Sequence, residues 1–119
     1  MKQELDDKLV RAYPNIFQDR WGNMNSTNMC WGFECGDRWF NLLNLLCKQI
    51  QHRVDTEYQH GIAIEQVVAT QVKEKFGTLR FYYDGGDDTI RQLVDEAEQD
   101  SATVCDVCRE PRLIRQHNS

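Results

Sequence analysis

From residue 2 to about 13, Leu5, Leu9 and Ala12 return on one helical side with Val10 and Tyr13 beside them, which predicts an amphipathic helix. Pro14 ends it, because the residue before a proline is pushed out of the helical region. Residues 14–36 hold no sustained period and are rich in Asn, Gly and aromatics; they read as an irregular loop. A loop of more than about 15 residues in a compact domain is uncommon unless it is tied down or functional. Trp21, Cys30, Trp31, Phe33 and Cys35 are its candidate anchors.

Asp37 is placed to cap a helix over 37–53. Trp39, Leu42, Leu43, Leu46 and Ile50 fall at helical spacing there, and Phe40, Leu45 and Cys47 widen the apolar surface. So broad a stripe predicts the central, most buried helix of the domain. The period then changes. Gln66 to Lys75 and Leu79 to Tyr83 read as strands, and the link Lys75-Phe76-Gly77-Thr78 contains the glycine that a tight reversal needs, hence an antiparallel hairpin. Two strands alone are marginal, so a third is expected near 62–64, at Ile62 and Ile64. Asp84-Gly85-Gly86-Asp87 stops the second strand, and Asp87 or Asp88 caps a last helix to Ser101 with Ile90, Leu93, Val94 and Ala97 as its apolar stripe. The predicted class is α+β: one small domain, a hairpin or three-stranded sheet on two to three helices, with a polar tail over 102–119.

Composition narrows the classes. At 119 residues, 40% hydrophobic and 28% charged, the chain fits one globular domain. No apolar run approaches the ~18–20 residues of a membrane span, and the charged opening, Lys2-Gln3-Glu4-Leu5-Asp6-Asp7, is unlike a signal peptide; a cytoplasmic protein is expected. Net charge is −5, so a global basic footprint for nucleic acid is lacking. The charge is uneven: Asp84, Asp87, Asp88, Asp95, Glu96, Glu98 and Asp100 stand against the single Arg91, whereas Arg109, Arg112 and Arg115 come near the end against Glu110. The acidic stretch fits a solvated helix face, or a surface that attracts a basic partner.

Five cysteines occur: Cys30, Cys35, Cys47, Cys105 and Cys108. An odd number without a secretory signal speaks for metal or core roles over a disulfide framework. Cys105 and Cys108 form a C-x-x-C, the spacing at which two thiolates turn toward one tetrahedral ion. Either Cys30 and Cys35 complete a four-cysteine site that ties the loop to the tail, or His117 supplies a third ligand. A four-thiolate zinc is closed and therefore structural. Reduced, unmetallated thiols are the alternative. Cys47, inside the Leu-rich helix, reads as a buried hydrophobe, and His52 and His60 as solvated or capping residues.

The stretch Cys30-Trp31-Gly32-Phe33-Glu34-Cys35-Gly36-Asp37-Arg38-Trp39, the segment Gln71-Val72-Lys73-Glu74-Lys75-Phe76-Gly77-Thr78-Leu79-Arg80-Phe81-Tyr82-Tyr83 and the terminal C-x-x-C together resemble a family of small bacteriophage and prophage proteins. The resemblance covers most of the chain from about Tyr13-Pro14 onward. Members of that family often continue past the C-x-x-C into a second Cys/His pair, where this chain has His117 alone. The family supplies no catalytic residue to transfer; it implies a phage setting, in which small acidic accessory proteins often bind and disable host machinery.

No phosphate-cradling glycine loop, nucleophile elbow or metalloprotease helix is present in the sequence, and an enzyme is not expected. The leading expectation is a non-catalytic accessory protein acting by protein–protein contact on a host defence or nucleic-acid machine, such as a CRISPR effector, through Asp84, Asp87, Asp88, Asp95, Glu96 and Glu98. The alternative is a zinc-supported nucleic-acid binder. Strand alternation sets Lys73 and Lys75 on one face with Arg80 and Tyr82 near, Glu74 on the other, and Arg109, Arg112 and Arg115 would add to that basic ridge. A virion structural or assembly component is the third class.

Overall fold

A computed structural model describes residues 1–20, 29 and 32–103 of the chain. The elements run α1 (Gln3–Ala12), β1 (Phe33–Glu34), a 3-10 turn (Asp37–Trp39), α2 (Phe40–Gln59), β2 (Val68–Lys75), β3 (Thr78–Asp84) and α3 (Asp88–Ser101). The class is α+β, with three helices against a three-stranded sheet ordered β1-β2-β3. Leu42, Leu43, Leu46 and Ile50 of α2 share one buried cluster with Val72 of β2, Leu79 and Phe81 of β3, and Ile90, Val94 and Ala97 of α3. The predicted helical and strand periods therefore converge on a single core.

The third strand is not at 62–64. Phe33–Glu34 pairs with β2 in parallel, Phe33 opposite Val72 and Glu34 opposite Lys73, while Ile62 is exposed and Ile64 only packs at the edge of the core. A parallel neighbour needs a long crossover, and α2 serves as that crossover. Two residues are too few to leave an alternating signature, which is why the strand is hidden inside a segment that reads as loop.

The central helix also differs from expectation at both ends. Asp37 does not cap it; Gly36 precedes the 3-10 turn, and the Asp37 carboxylate accepts the backbone N–H of Lys2 at 2.7 Å. At the far end α2 runs past Arg53 to Gln59. The apolar pattern thins there to Val54, but Arg53 ion-pairs with Glu57 one turn on and with Asp87, which holds the extension. Gly61, at φ +82°, then closes the helix, with the N–H of Ile62 reaching the Glu57 carbonyl at 2.9 Å and that of Gly61 reaching Tyr58. That is a Schellman closure, for which the left-handed region suits glycine.

Trp21, Cys30 and Trp31, three of the expected anchors, lie outside the described residues; among the described residues the irregular segment is held by packing and by a buried ion pair. Ile16, Phe17, Met29, Phe33 and Cys35 are all buried, and the Phe17 and Phe33 rings meet edge-on at 5.0 Å. The Ile16 carbonyl accepts the N–H of Ala69 at 2.8 Å, beside the irregularity between Ala69 and Gln71 in β2. Asp6 and Arg20, 5% and 8% exposed, join through Arg20 Nε to Asp6 Oδ1 at 3.0 Å. Gly32 lies against this pair. A Cβ there would stand 2.7 Å from Asp6 Oδ2, and the φ of +78° is itself one that side chains rarely adopt.

Candidate functional site

Two surfaces gather the polar residues singled out above, and the helix α3 carries the first. Asp87 caps α3, its carboxylate accepting the Ile90 N–H at 3.0 Å, and it takes Arg53 Nη2 at 2.8 Å. The Arg53 hydrogen bond, then the Ile90 N–H, holds its carboxyl below the ordinary carboxylate range despite some burial. At the other end Glu98 Oε2 accepts the Phe81 N–H at 2.9 Å, and Ser101 Oγ accepts the Leu79 N–H at 2.8 Å. These side chains cover the free edge of β3, the row of unpaired N–H groups that an edge strand otherwise offers to another chain. Burial pushes the Glu98 carboxyl up, partly offset by the Phe81 N–H and the charge of Arg80. The Trp39 indole Nε1 donates to the Ser101 carbonyl at 3.3 Å, so α3 is fastened at both ends.

Of the six acids expected to form a partner surface, Asp87 and Glu98 thus serve the fold. Asp84, Asp88, Asp95 and Glu96 are exposed. At 100° per residue, Asp88, Gln92, Asp95, Glu96 and Gln99 share the side of α3 opposite the buried Ile90, Val94, Ala97 and Ser101. Next to this face lies an open recess of about 270 Å³ between β3 and α3, lined by Thr78, Arg80, Asp95, Glu98, Gln99 and Ala102.

The second surface is the solvent side of the hairpin. Register pairs Lys73 with Arg80, Gln71 with Tyr82 and Lys75 with Thr78, so these six residues alternate away from the buried Val72, Leu79 and Phe81. The expected ridge is divided. Arg80 turns toward α3 and lines the recess, its Nε buried without a hydrogen-bond partner among the described residues. Lys73 instead lies over the Tyr82 ring, Nζ 5.9 Å from the centroid. Glu74 is on the opposite side, as alternation requires, and meets Arg38 at 3.6 Å. At the tip the two-residue turn Phe76-Gly77 has φ +54° and +80°, the pair of positive values that a type I′ turn demands. Among the described residues Phe76 is the one non-glycine with positive φ. Its side chain is 91% exposed, with Lys75 Nζ 5.8 Å from the ring centroid.

The cysteines divide as well. Cys30, Cys105, Cys108 and His117, together with Arg109, Arg112 and Arg115, lie outside the described residues. Cys35 is buried in the apolar core. Burial raises its thiol to about 11, eased by the N-terminal ammonium and raised further by Glu74 and Asp37. Among the described residues no three His, Cys, Asp or Glu side chains group as a metal site. Cys47 is fully buried and its thiol is pushed well up by desolvation, in keeping with a core role. His52 and His60 are exposed, His52 near the Thr56 hydroxyl and His60 at the end of α2.

Sequence reasoning missed the Asp6–Arg20 pair. One signal was available: Asp6 falls three and four residues before Leu9 and Val10, on the buried face of α1. It also missed Phe76 as a feature of the surface, since the segment reads only as a turn.

Among the described residues no helix is long and apolar enough to cross a membrane. Comparison with protein-family models, curated proteins and solved structures finds no match to this chain.

Proposed function

We propose that this is a non-catalytic accessory protein of bacteriophage type, acting by protein–protein contact on a host defence or nucleic-acid machine, such as a CRISPR effector. The observation that carries the reading is the mounting of α3. Asp88, Asp95 and Glu96 sit on the outer face of a helix tied down at one end by Asp87–Arg53 and at the other by Trp39, Glu98 and Ser101. Carboxylates held on a fixed scaffold meet a basic groove at little ordering cost, which favours fast, charge-steered association. Asp84, at the end of β3, extends the same sign of charge. The phage setting rests on the resemblance of the Cys30–Trp39 and Gln71–Tyr83 segments.

Zinc belongs to the same proposal. Held by Cys30, Cys35, Cys105 and Cys108, it would be a closed structural ion that fastens the chain and supplies no turnover. Metal content per chain tests it in the parent, Cys30→Ser and Cys105→Ser. About one zinc in the parent and equal loss in both variants supports a shared site; a parent purified without zinc removes it.

The functional test is inhibition. The purified protein is titrated into DNA-cleavage assays of a panel of bacterial CRISPR effectors, beside a variant carrying Asp88→Lys, Asp95→Lys and Glu96→Lys. Inhibition that weakens more than tenfold in the variant, with unchanged thermal unfolding, supports the reading. Undiminished inhibition removes α3 as the contact, and no inhibition across the panel removes this target class.

A further inference from the structure

We propose that the solvent side of the hairpin is a binding strip for single-stranded nucleic acid, a site separate from the acidic face of α3. Lys73 and Lys75 are two residues apart on β2 and point to the same side, about 7 Å apart along the strand. Each is associated with an exposed aromatic ring: Lys73 with Tyr82, 43% exposed, and Lys75 with Phe76 at the tip. Two exposed rings, each beside an ammonium group, offer what unpaired bases and their phosphates require. The rings stack on bases of any sequence, while the cations neutralise the backbone.

Phe76 is the observation that separates this strip from an ordinary polar sheet face. A phenylalanine at φ +54° strains the backbone where asparagine or glycine would not, and at 91% exposure it returns almost no burial to the core. Residues kept in such conformations cluster where a chain touches something else. Two carboxylates border the strip, Glu34 beside Lys73 and Asp84 two residues beyond Tyr82 on β3, so the cations that face an anion are Lys73 and Lys75 toward the tip. The nearest carboxylate in register with Lys73 is Glu34, which accepts a hydrogen bond from Gln71 at 3.2 Å. Glu74 faces the other side, toward Arg38. Arg80 is not part of the strip, because it turns to α3. An acidic protein pocket that accepts Phe76 is the competing occupant, and a second ring with its own lysine, Tyr82 beside Lys73, favours a strand over a single pocket.

The experiment is a fluorescence-anisotropy titration of a labelled 20-mer oligothymidylate with the full chain, repeated with the matching duplex and at 50 and 200 mM salt. The expected result is preference for the single strand and about sevenfold weaker binding at the higher salt, the slope two lysine–phosphate contacts give. Lys73→Gln and Lys75→Gln are each expected to lower that slope by about 0.7. Tyr82→Ala and Phe76→Asn are each expected to weaken binding about tenfold, as loss of one stacked base does, with thermal unfolding showing both variants folded. A triple variant Arg109→Gln, Arg112→Gln, Arg115→Gln controls for the tail and is expected to keep the dependence on Tyr82 and Phe76. No binding at 50 mM salt overturns the proposal. So does equal affinity for the duplex, affinity unchanged in Tyr82→Ala and Phe76→Asn, or binding that disappears only in the triple variant. None of these outcomes bears on the α3 contact, which the cleavage assay tests separately.

Discussion

The acids of α3 and the lysines of the hairpin face look alike in the sequence, as charges scattered over amphipathic elements, yet they stand differently toward the fold. On the α3 side much of the charge is at work. Asp87 starts the helix and binds Arg53, and Glu98 closes the edge of β3. On the hairpin side, among the described residues, the side chains of Lys73 and Lys75 meet the rings of Tyr82 and Phe76, and Phe76 strains the turn it occupies. Charge counted along a sequence therefore overstates a helix face whose carboxylates are engaged as caps and clasps. It understates a sheet face where an aromatic and a lysine contribute little to the fold.

That contrast is broken or sharpened by substitution, and the most engaged carboxylate sets the upper end of the scale. Asp6→Ala takes its carboxylate from the buried Arg20 guanidinium and an acceptor from the Phe33 N–H. It is expected to cost about 3–5 kcal/mol, read as the shift in a urea-unfolding curve. On α3, Asp87→Ala removes the cap and is expected to cost about 1 kcal/mol, whereas Asp95→Ala, on the outer face, should stay within about 0.5 kcal/mol of the parent. Equal costs for Asp87 and Asp95 would erase the distinction between engaged and displayed acids.

The two engaged acids of α3 should also differ in the sign of their pH dependence. The Asp87 carboxyl is depressed, chiefly by Arg53; its contribution is present above the ordinary carboxylate range and is lost as pH falls through the depressed value. The deficit of Asp87→Asn is therefore greatest near neutrality and fades in acid. The Glu98 carboxyl is raised by burial, so the protonated form suits the fold, and the stability this adds is present in acid and lost as pH rises through the raised value. Glu98→Gln should match the parent in acid and gain slightly on it toward neutral pH, its amide oxygen still accepting the Phe81 N–H. Unfolding midpoints from pH 3 to 7 check both slopes, and slopes of the same sign would contradict the assignments.

Most of the architecture was legible because it rests on long periodic segments. Leu42, Leu43, Leu46 and Ile50 announce α2, Ile90, Val94 and Ala97 announce α3, and the strands around Gly77 announce the hairpin. What escaped is short or long-range. Phe33–Glu34 is too brief to alternate and finds its partner across α2. The extension of α2 to Gln59 depends on Arg53 meeting Asp87, 34 residues away. For the candidate surfaces, residue types were readable and their engagement was not. Nothing local in Glu98 tells that its carboxylate reaches the Phe81 N–H, and nothing in Arg80 tells that it turns to α3 while Lys73, its partner in register, turns to Tyr82.

The central claim is that the hairpin tip serves something other than the fold, and one measurement addresses it most directly: urea unfolding of Phe76→Asn against the parent. Asparagine adopts the left-handed region readily and precedes glycine in the favoured form of this turn. The variant is expected to be more stable by about 1 kcal/mol with an unchanged slope. A lower midpoint would mean that Phe76 supports the folded chain, and the tip would lose its claim as a contact site.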